Sequence, residues 1–314
     1  MRNSPDQNNK TRSNTPVTKT GLVVANFGAK LVVEDVNGEL HRCTGRRKIG
    51  LVVCGDRVQW QPGNHQDCAI IERQPRHSEL VRLDKNGRKK TIAANIDQIL
   101  IMTAPGADFS TGLIDRYLIT AEAVGIQPLI IFNKIDLLDK QQLREFQQHL
   151  TPYEKIGYPV IFTSTTTAHG LDTLLPLLIH NTSIFVGKSG VGKSSLINVI
   201  LPDADARVGK ISEATGKGIH TTTTAWLYHL PDKQGDVIDS PGIREFGLWQ
   251  ITPAQVASGF REFRPYNKKC RFRDCLHHGE PGCAVAKAVA NGSISERRYQ
   301  SYQRILASLE ETTN

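Results

Sequence analysis

The chain has 314 residues, 39% of them hydrophobic and 22% charged. That balance excludes wholesale disorder and suits two or three domains, each with its own core. Lys and Arg outnumber Asp and Glu by 39 to 31, a formal charge of +8, and no apolar run reaches the roughly 18 residues of a membrane-spanning helix. Counted by region, the charge is +3 in residues 1–20, +5 in 21–92, −4 in 93–249 and +4 in 250–314. Basic flanks around an acidic centre point to a polyanionic partner, nucleic acid ahead of an anionic membrane surface, and no membrane is expected as a partner.

Residues 1–20 are polar, lack the apolar stretch of a secretion signal, and read as a disordered basic tail on a cytoplasmic protein. Short alternating segments follow at 22–24, 30–36, 39–43, 57–61 and 69–73, with Asn37-Gly38 as a hairpin turn. Five such strands suit an OB-type barrel over 21–83, and an SH3-like barrel fits the same count. Cys43, Cys54 and Cys68 read as small core hydrophobes, and 82–90 as a linker or exposed loop. From residue 95 apolar strands at 98–102, 129–132, 160–163 and 183–186 alternate with helical patterns at 113–124, 140–150 and 171–180. This predicts a mainly parallel α/β domain over 84–248. A helical domain is expected over 249–314, with helices at 253–260, 283–290 and 295–309.

Gly187-Lys188-Ser189-Gly190-Val191-Gly192-Lys193-Ser194 fits the G-x-x-x-x-G-K-[ST] pattern, between a strand and a helix that begins at Ser195. Its glycines let backbone N–H groups converge on phosphate oxygens at a helix N-terminus. Lys193 is expected to reach the β- and γ-phosphates, and the Ser194 hydroxyl to bind Mg²⁺. Asn133-Lys134-Ile135-Asp136 follows the strand at 129–132. An ionised Asp136 accepts from both the ring N–H and the exocyclic amine of guanine, a donor pair that adenine lacks. Asn133 can tie this loop to the phosphate loop, and the Lys134 stem can cover the base. The loop Ser164-Thr165-Thr166 could donate N–H to the guanine oxygen.

The base motif precedes the phosphate loop, the reverse of the ordinary GTPase order, so the domain reads as circularly permuted. Asp239-Ser240-Pro241-Gly242 supplies D-x-x-G, with Asp239 near Mg²⁺ and Gly242 sensing the γ-phosphate. Thr222 or Thr223 is expected to complete the Mg²⁺ shell. Ile243 stands where Ras-like enzymes place a glutamine that orients water. Slow intrinsic hydrolysis follows, with His220 as the nearest alternative. Because the second switch runs into the C-terminal domain, loss of the γ-phosphate is expected to move that domain.

Cys270, Cys275, His277 and Cys283 lie within 14 residues. Three thiolates and an imidazole suit a closed, structural Zn²⁺ site. His278 fits the spacing as well as His277.

Together, the order of these motifs, the preceding barrel and the stretches HTTT (220–223), IDSPGIREFGL (238–248) and CRFRDCLHHGEPGCAVAKAV (270–289) resemble the bacterial circularly permuted GTPases that depend on the small ribosomal subunit. The resemblance implies GTP/GDP and Mg²⁺ at residues 133–136 and 187–195, and Zn²⁺ at Cys270, Cys275, His277 and Cys283. It also implies late small-subunit maturation, hydrolysis stimulated by the subunit, and a barrel and zinc domain that grip its rRNA; a monomer is expected. Thr165 departs from the family pattern, which leaves the 164–166 loop out of the site, and Ile219 departs from it before His220, which leaves the detail of the first switch open.

Overall fold

The computed structural model describes residues 17–63, 67–83, 88–107, 109–202, 225–240 and 251–311. Five strands come first: β1 (Lys19–Asn26), β2 (Leu31–Asp35), β3 (Leu40–Gly45), β4 (Arg57–Pro62) and β5 (Asp67–Arg73). They pair in the order β1-β2-β3-β5-β4, and β4 returns to β1, which closes the barrel. Only β3 and β5 run parallel among these pairs. One closed sheet of this connectivity is the OB-like form. Val23, Leu31, Val33, Val58, Trp60 and Ile70 fill its interior from alternate positions. At the β2–β3 turn Gly38 takes φ +83°, and Asp35 Oδ1 accepts the Asn37 and Glu39 N–H groups.

Three expectations change here. Lys19 and Thr20, placed in the tail by composition, pair with Trp60 and Gln59 in the barrel. The stretch read as a linker at 82–90 begins and ends in strands: β6 (Glu79–Leu83) and β7 (Lys89–Ala94) form an antiparallel ribbon. Arg82, Lys89 and Lys90 fall on a two-stranded ribbon, where a continuous apolar run is not needed. Cys43 and Cys68 are partners across the parallel β3–β5 pair, with Cα atoms 4.3 Å apart, and are joined by a disulfide. Cys54 is a buried free thiol, as expected.

The α/β region runs β8 (Gln98–Thr103), α1 (Thr111–Val124), β9 (Gln127–Phe132), α2 (Lys140–Lys155), β10 (Val160–Phe162), α3 (Leu171–Leu178), β11 (Thr182–Val186), α4 (Lys193–Ile200), β12 (Trp226–His229) and β13 (Asp236–Asp239). Its strand order is β10-β9-β8-β11-β13-β12. All pairs are parallel except β12–β13. Central β8 is buried at every residue, as a strand covered by helices on both faces requires. Helix α1 starts at the Ser110 side-chain cap and stops at left-handed Gly125. Helix α2 runs beyond the expected end at 150, through Pro152, because Tyr153 in its last turn is buried.

The barrel continues into this sheet. Ala25 of β1 bridges to Trp226 of β12, and Val24 and Val32 share a core with Ile99, Ile101 and Leu227. His229 spans the same junction. Its Nδ1 lies 2.5 Å from Asp236 Oδ1 and its Nε2 3.0 Å from Glu34 Oε2, while Lys233 Nζ donates to Glu34 at 2.9 Å.

The C-terminal region is helical, with α5 (Pro253–Gly259), α6 (Arg264–Asn267), α7 (Ala284–Ala290) and α8 (Glu296–Glu311). A capping box at Thr252 and Gln255 starts α5. The region packs on α1: Ile119 enters its core beside Phe260, Phe263 and Tyr302. A Cβ on Gly259 would meet Ile119 at 3.0 Å. Arg298, 1% exposed, bonds Asp115 of α1 and Glu262 (Nε to Oε1, 2.7 Å). Its guanidinium also lies 4.4 Å from the Phe260 ring centre. Arg261 and Arg264 bond Glu122 of α1 at 2.6 and 2.5 Å. Among the described residues, no helix is long and apolar enough to cross a membrane.

Candidate nucleotide site and metal centre

The phosphate loop leaves the end of β11, between β8 and β13. Its conformation needs glycine. Gly187 has φ +142°, and a Cβ there would sit 2.3 Å from the Met102 carbonyl oxygen; Gly192 has φ +98°, and a Cβ there would sit 2.4 Å from Asn133 Nδ2. Gly192 also caps α4 without a side-chain acceptor, so the first N–H groups of the helix face the loop. Lys193 Nζ donates to the Gly187 and Lys188 carbonyls at 2.6 and 2.7 Å, which folds the ammonium over the loop. Ser194 and Ser195 are exposed on the first turn.

The base motif leaves the end of β9, two strands from β11, and reaches the phosphate loop through side chains. Fully buried Asn133 donates from Nδ2 to the Val191 carbonyl at 3.0 Å. Lys134, at φ +64°, donates to the Gly190 carbonyl at 2.6 Å. Ile135 N–H bonds Thr163 O at 3.3 Å, and Asp136 is exposed beyond it. The sheet thus joins two segments that the chain presents in reversed order.

Two supporting residues were not in the expected site. The Thr163 hydroxyl donates to Asn133 Oδ1 at 3.0 Å, and Ser164 Oγ donates to Asp136 Oδ1 at 2.6 Å. Ser164 also accepts the Thr167 N–H at 3.1 Å. The 164–166 loop therefore orients the carboxylate. The signal for it was its position after β10, which pairs in parallel with β9.

Asp239 ends β13, beside the phosphate-loop strand. Burial pushes its carboxyl upward and the nearby Lys193 charge offsets part of that shift. The Asp239 carboxylate is a hard oxygen donor of the kind that Mg²⁺ takes. His220, Thr222 and Gly242 lie outside the described residues, as do residues 243–250.

In the C-terminal region Cys270, Cys275, His277 and Cys283 converge, with all ligand atoms within 4.8 Å of one another. His277 Nδ1 lies 3.6, 3.5 and 3.4 Å from the three sulfurs. A tetrahedron with Zn–S near 2.3 Å and Zn–N near 2.05 Å has an S···N edge of about 3.6 Å, so the residues fit zinc. His277 is buried and His278 exposed, which resolves the alternative left open by the spacing. Tyr299 donates to the His277 carbonyl at 2.7 Å and Tyr302 donates to that of Leu276. The Ala284 and Ala286 N–H groups point at Cys270 and Cys283 sulfurs at 3.3 and 3.4 Å, an arrangement that favours thiolates.

A profile of the RsgA GTPase family matches residues 73–249. A protein from Hahella chejuensis named small ribosomal subunit biogenesis GTPase RsgA is 51% identical over 295 residues, 93% of this chain and 84% of its own. A protein of the same name from Pseudomonas aeruginosa is 48% identical over 294 residues, 94% of this chain and 86% of its own. Among solved structures, YjeQ from Thermotoga maritima superposes with a TM-score of 0.77 at 32% identity, over 93% of this chain and 99% of that one. YloQ, described as a circularly permuted GTPase, gives 0.74 at 29% identity, over 94% and 96%. With the family matched over more than half its length and the permuted sheet in place, this chain belongs to the RsgA GTPase family and is a circularly permuted GTP hydrolase.

Proposed function

We propose that this GTPase binds the small ribosomal subunit through its rRNA and acts in late maturation, turning over GTP slowly alone and faster on the subunit. The observation that carries this reading is the joining of base loop and phosphate loop by the Asn133–Val191 and Lys134–Gly190 bonds, in a chain flanked by basic regions. The relatives' name supplies the subunit. In this reading Asp136, held by Ser164, selects guanine. Residues 187–195 bind the phosphates, and Lys193 swings from its two carbonyls to the β- and γ-oxygens. Ser194 and Asp239, with Thr222, hold Mg²⁺, which when bound screens the charge that builds between the phosphates. Cys270, Cys275, His277 and Cys283 hold one structural Zn²⁺. Gly242 reads the γ-phosphate and His220 lies nearest the water.

The working parts are then a tail that ends before Lys19, a barrel that binds RNA (19–83), the permuted GTPase (84–248) and the zinc domain (249–314), in a cytoplasmic monomer. Turnover measured with purified small and large subunits tests this. Stimulation by the small subunit alone is expected. Equal stimulation by both, or by neither, would refute it.

A further inference from the structure

Four residues, Arg271-Phe272-Arg273-Asp274, lie between two members of the metal cluster, Cys270 and Cys275. All four are exposed. Phe272 keeps 42% of its surface open, and among the described residues it is the only aromatic ring among the strongly exposed large apolar side chains. The open part of this ring buries nothing in the free protein. Its setting is specific. The Arg271 guanidinium lies 5.5 Å from the ring centre, and exposed Lys268, Lys269 and Arg273 surround it in sequence. Asp274 is the one acidic residue in the loop. The next, Glu280, is turned inward, where it accepts the Leu276 and His278 N–H groups at 2.7 and 2.6 Å.

The loop is also anchored at its base. Arg271 N–H bonds the Gly282 carbonyl at 3.2 Å. Gly282 sits at φ +78°, where a Cβ would press on Arg271 Cβ at 3.0 Å. With Cys270 and Cys275 fixed at either end, the four side chains are presented at little further cost in order. An anchored, basic loop that leaves part of a ring open beside a guanidinium has the composition of a stacking platform. Cations track phosphates, and an aromatic face takes an unpaired base; in a paired A-form helix that face is already stacked.

We propose that loop 271–274 is a binding site for single-stranded RNA, with an unpaired base stacked on Phe272 and its flanking phosphates held by Arg271 and Arg273. This rests on the reading that the chain acts on rRNA and narrows it to an unpaired element. Fluorescence anisotropy of the full-length, zinc-loaded protein with a labelled single-stranded RNA 12-mer and a duplex of the same length tests it, across a salt series. Phe272→Ala is expected to weaken single-strand binding roughly 5- to 150-fold, the span of one base–aromatic stack. The dependence on salt and the duplex affinity should stay unchanged. Phe272→Trp should restore affinity, and its emission should be quenched by the single strand. Phe272→Leu, apolar without a ring, should not restore it. Arg273→Gln should instead lower the salt slope by about 0.7, the value of one phosphate contact on a single strand.

Unchanged single-strand affinity in Phe272→Ala would overturn the proposal. So would equal loss on duplex and single strand. Intact RNA binding with lost subunit binding would overturn it in favour of a ribosomal protein as partner. Basal GTP turnover and zinc content should match the parent protein in every variant. Wild-type stimulation by the small subunit is read separately, so failure of the subunit reading and failure of the stacking site are distinguishable.

Discussion

Arg298→Met tests how firmly the zinc domain is held on the GTPase domain. Arg298 is 1% exposed and faces two carboxylates: Asp115 on α1, with a fully buried side chain, and Glu262, 7% exposed. Methionine keeps much of the aliphatic volume against Phe260 but removes the charge. Asp115 would keep the Tyr153 hydroxyl at 2.6 Å and Arg297 at 3.8 Å, whereas Glu262 loses both of its bonds to Arg298. Removing one partner from a buried ionic cluster costs about 3–5 kcal/mol, chiefly because the opposite charge is stranded. At roughly 2–4 °C per kcal/mol for a chain of this class, Tm should fall by about 6–20 °C. Scanning calorimetry measures that shift, and amide exchange should show α5 and α8 opening ahead of the GTPase sheet. Adding Asp115→Asn and Glu262→Gln to Arg298→Met should recover much of the loss. A Tm within about 2 °C of the parent, with unchanged exchange in α8, would refute the claim that this cluster holds the interface.

Asp136→Asn should weaken GTP binding and favour xanthosine triphosphate, because the side chain now presents a donor to the base; competition with the two nucleotides reads it, and an unchanged preference would remove Asp136 from this role. Cys283→Ser should lower zinc content and loosen the C-terminal region while leaving nucleotide affinity within a few-fold, as checked by metal analysis and GTP-analogue titration. The junction at His229 should be sensitive to pH. Burial pushes this imidazole down, but its bonds to Asp236 and Glu34 outweigh that and hold it up at about 9, from 6.5. A folded pKa raised above the unfolded one contributes its full stability below about pH 6.5 and loses it as pH rises through about 9. Burial likewise pushes Glu34 up, but its bonds to His229 and Lys233 prevail and hold it at about 2, from 4.5, so its contribution is present above about pH 4.5 and is lost as pH falls toward 2. His229→Gln should therefore flatten urea-unfolding stability between pH 6.5 and 9 relative to the parent; parallel curves would count against the protonated bridge.

The barrel, the parallel sheet and the three longer C-terminal helices were legible in the sequence because each carries its own period, and caps such as Ser110, Asp139 and Thr252 mark helix starts locally. The phosphate and base loops were legible for a related reason: their glycines and polar residues answer constraints within eight residues. Contacts between distant segments left no such trace. Nothing near Cys43 announces Cys68 on a strand reached only through parallel pairing, and nothing near Asp115 announces Arg298, 183 residues on. Ser164 falls between these cases. Its loop was visible, but its bond to Asp136 depends on β10 lying beside β9.

The permutation has a mechanical consequence. Residues 241–250 leave β13 at one end and enter α5 at the other, and both ends are fixed to the same body: β13 lies within the GTPase sheet, and α5 is seated on α1 beside the Arg298 cluster. A cord tied to one frame at two points transmits no pull between its ends. Loss of the γ-phosphate can swing the zinc domain only by first breaking the buried contacts of Arg298 and the more exposed ones of Glu122, the former at a cost of several kcal/mol. Short of that, the C-terminal region and the GTPase sheet stay one body, joined through α1 as well as through the chain itself.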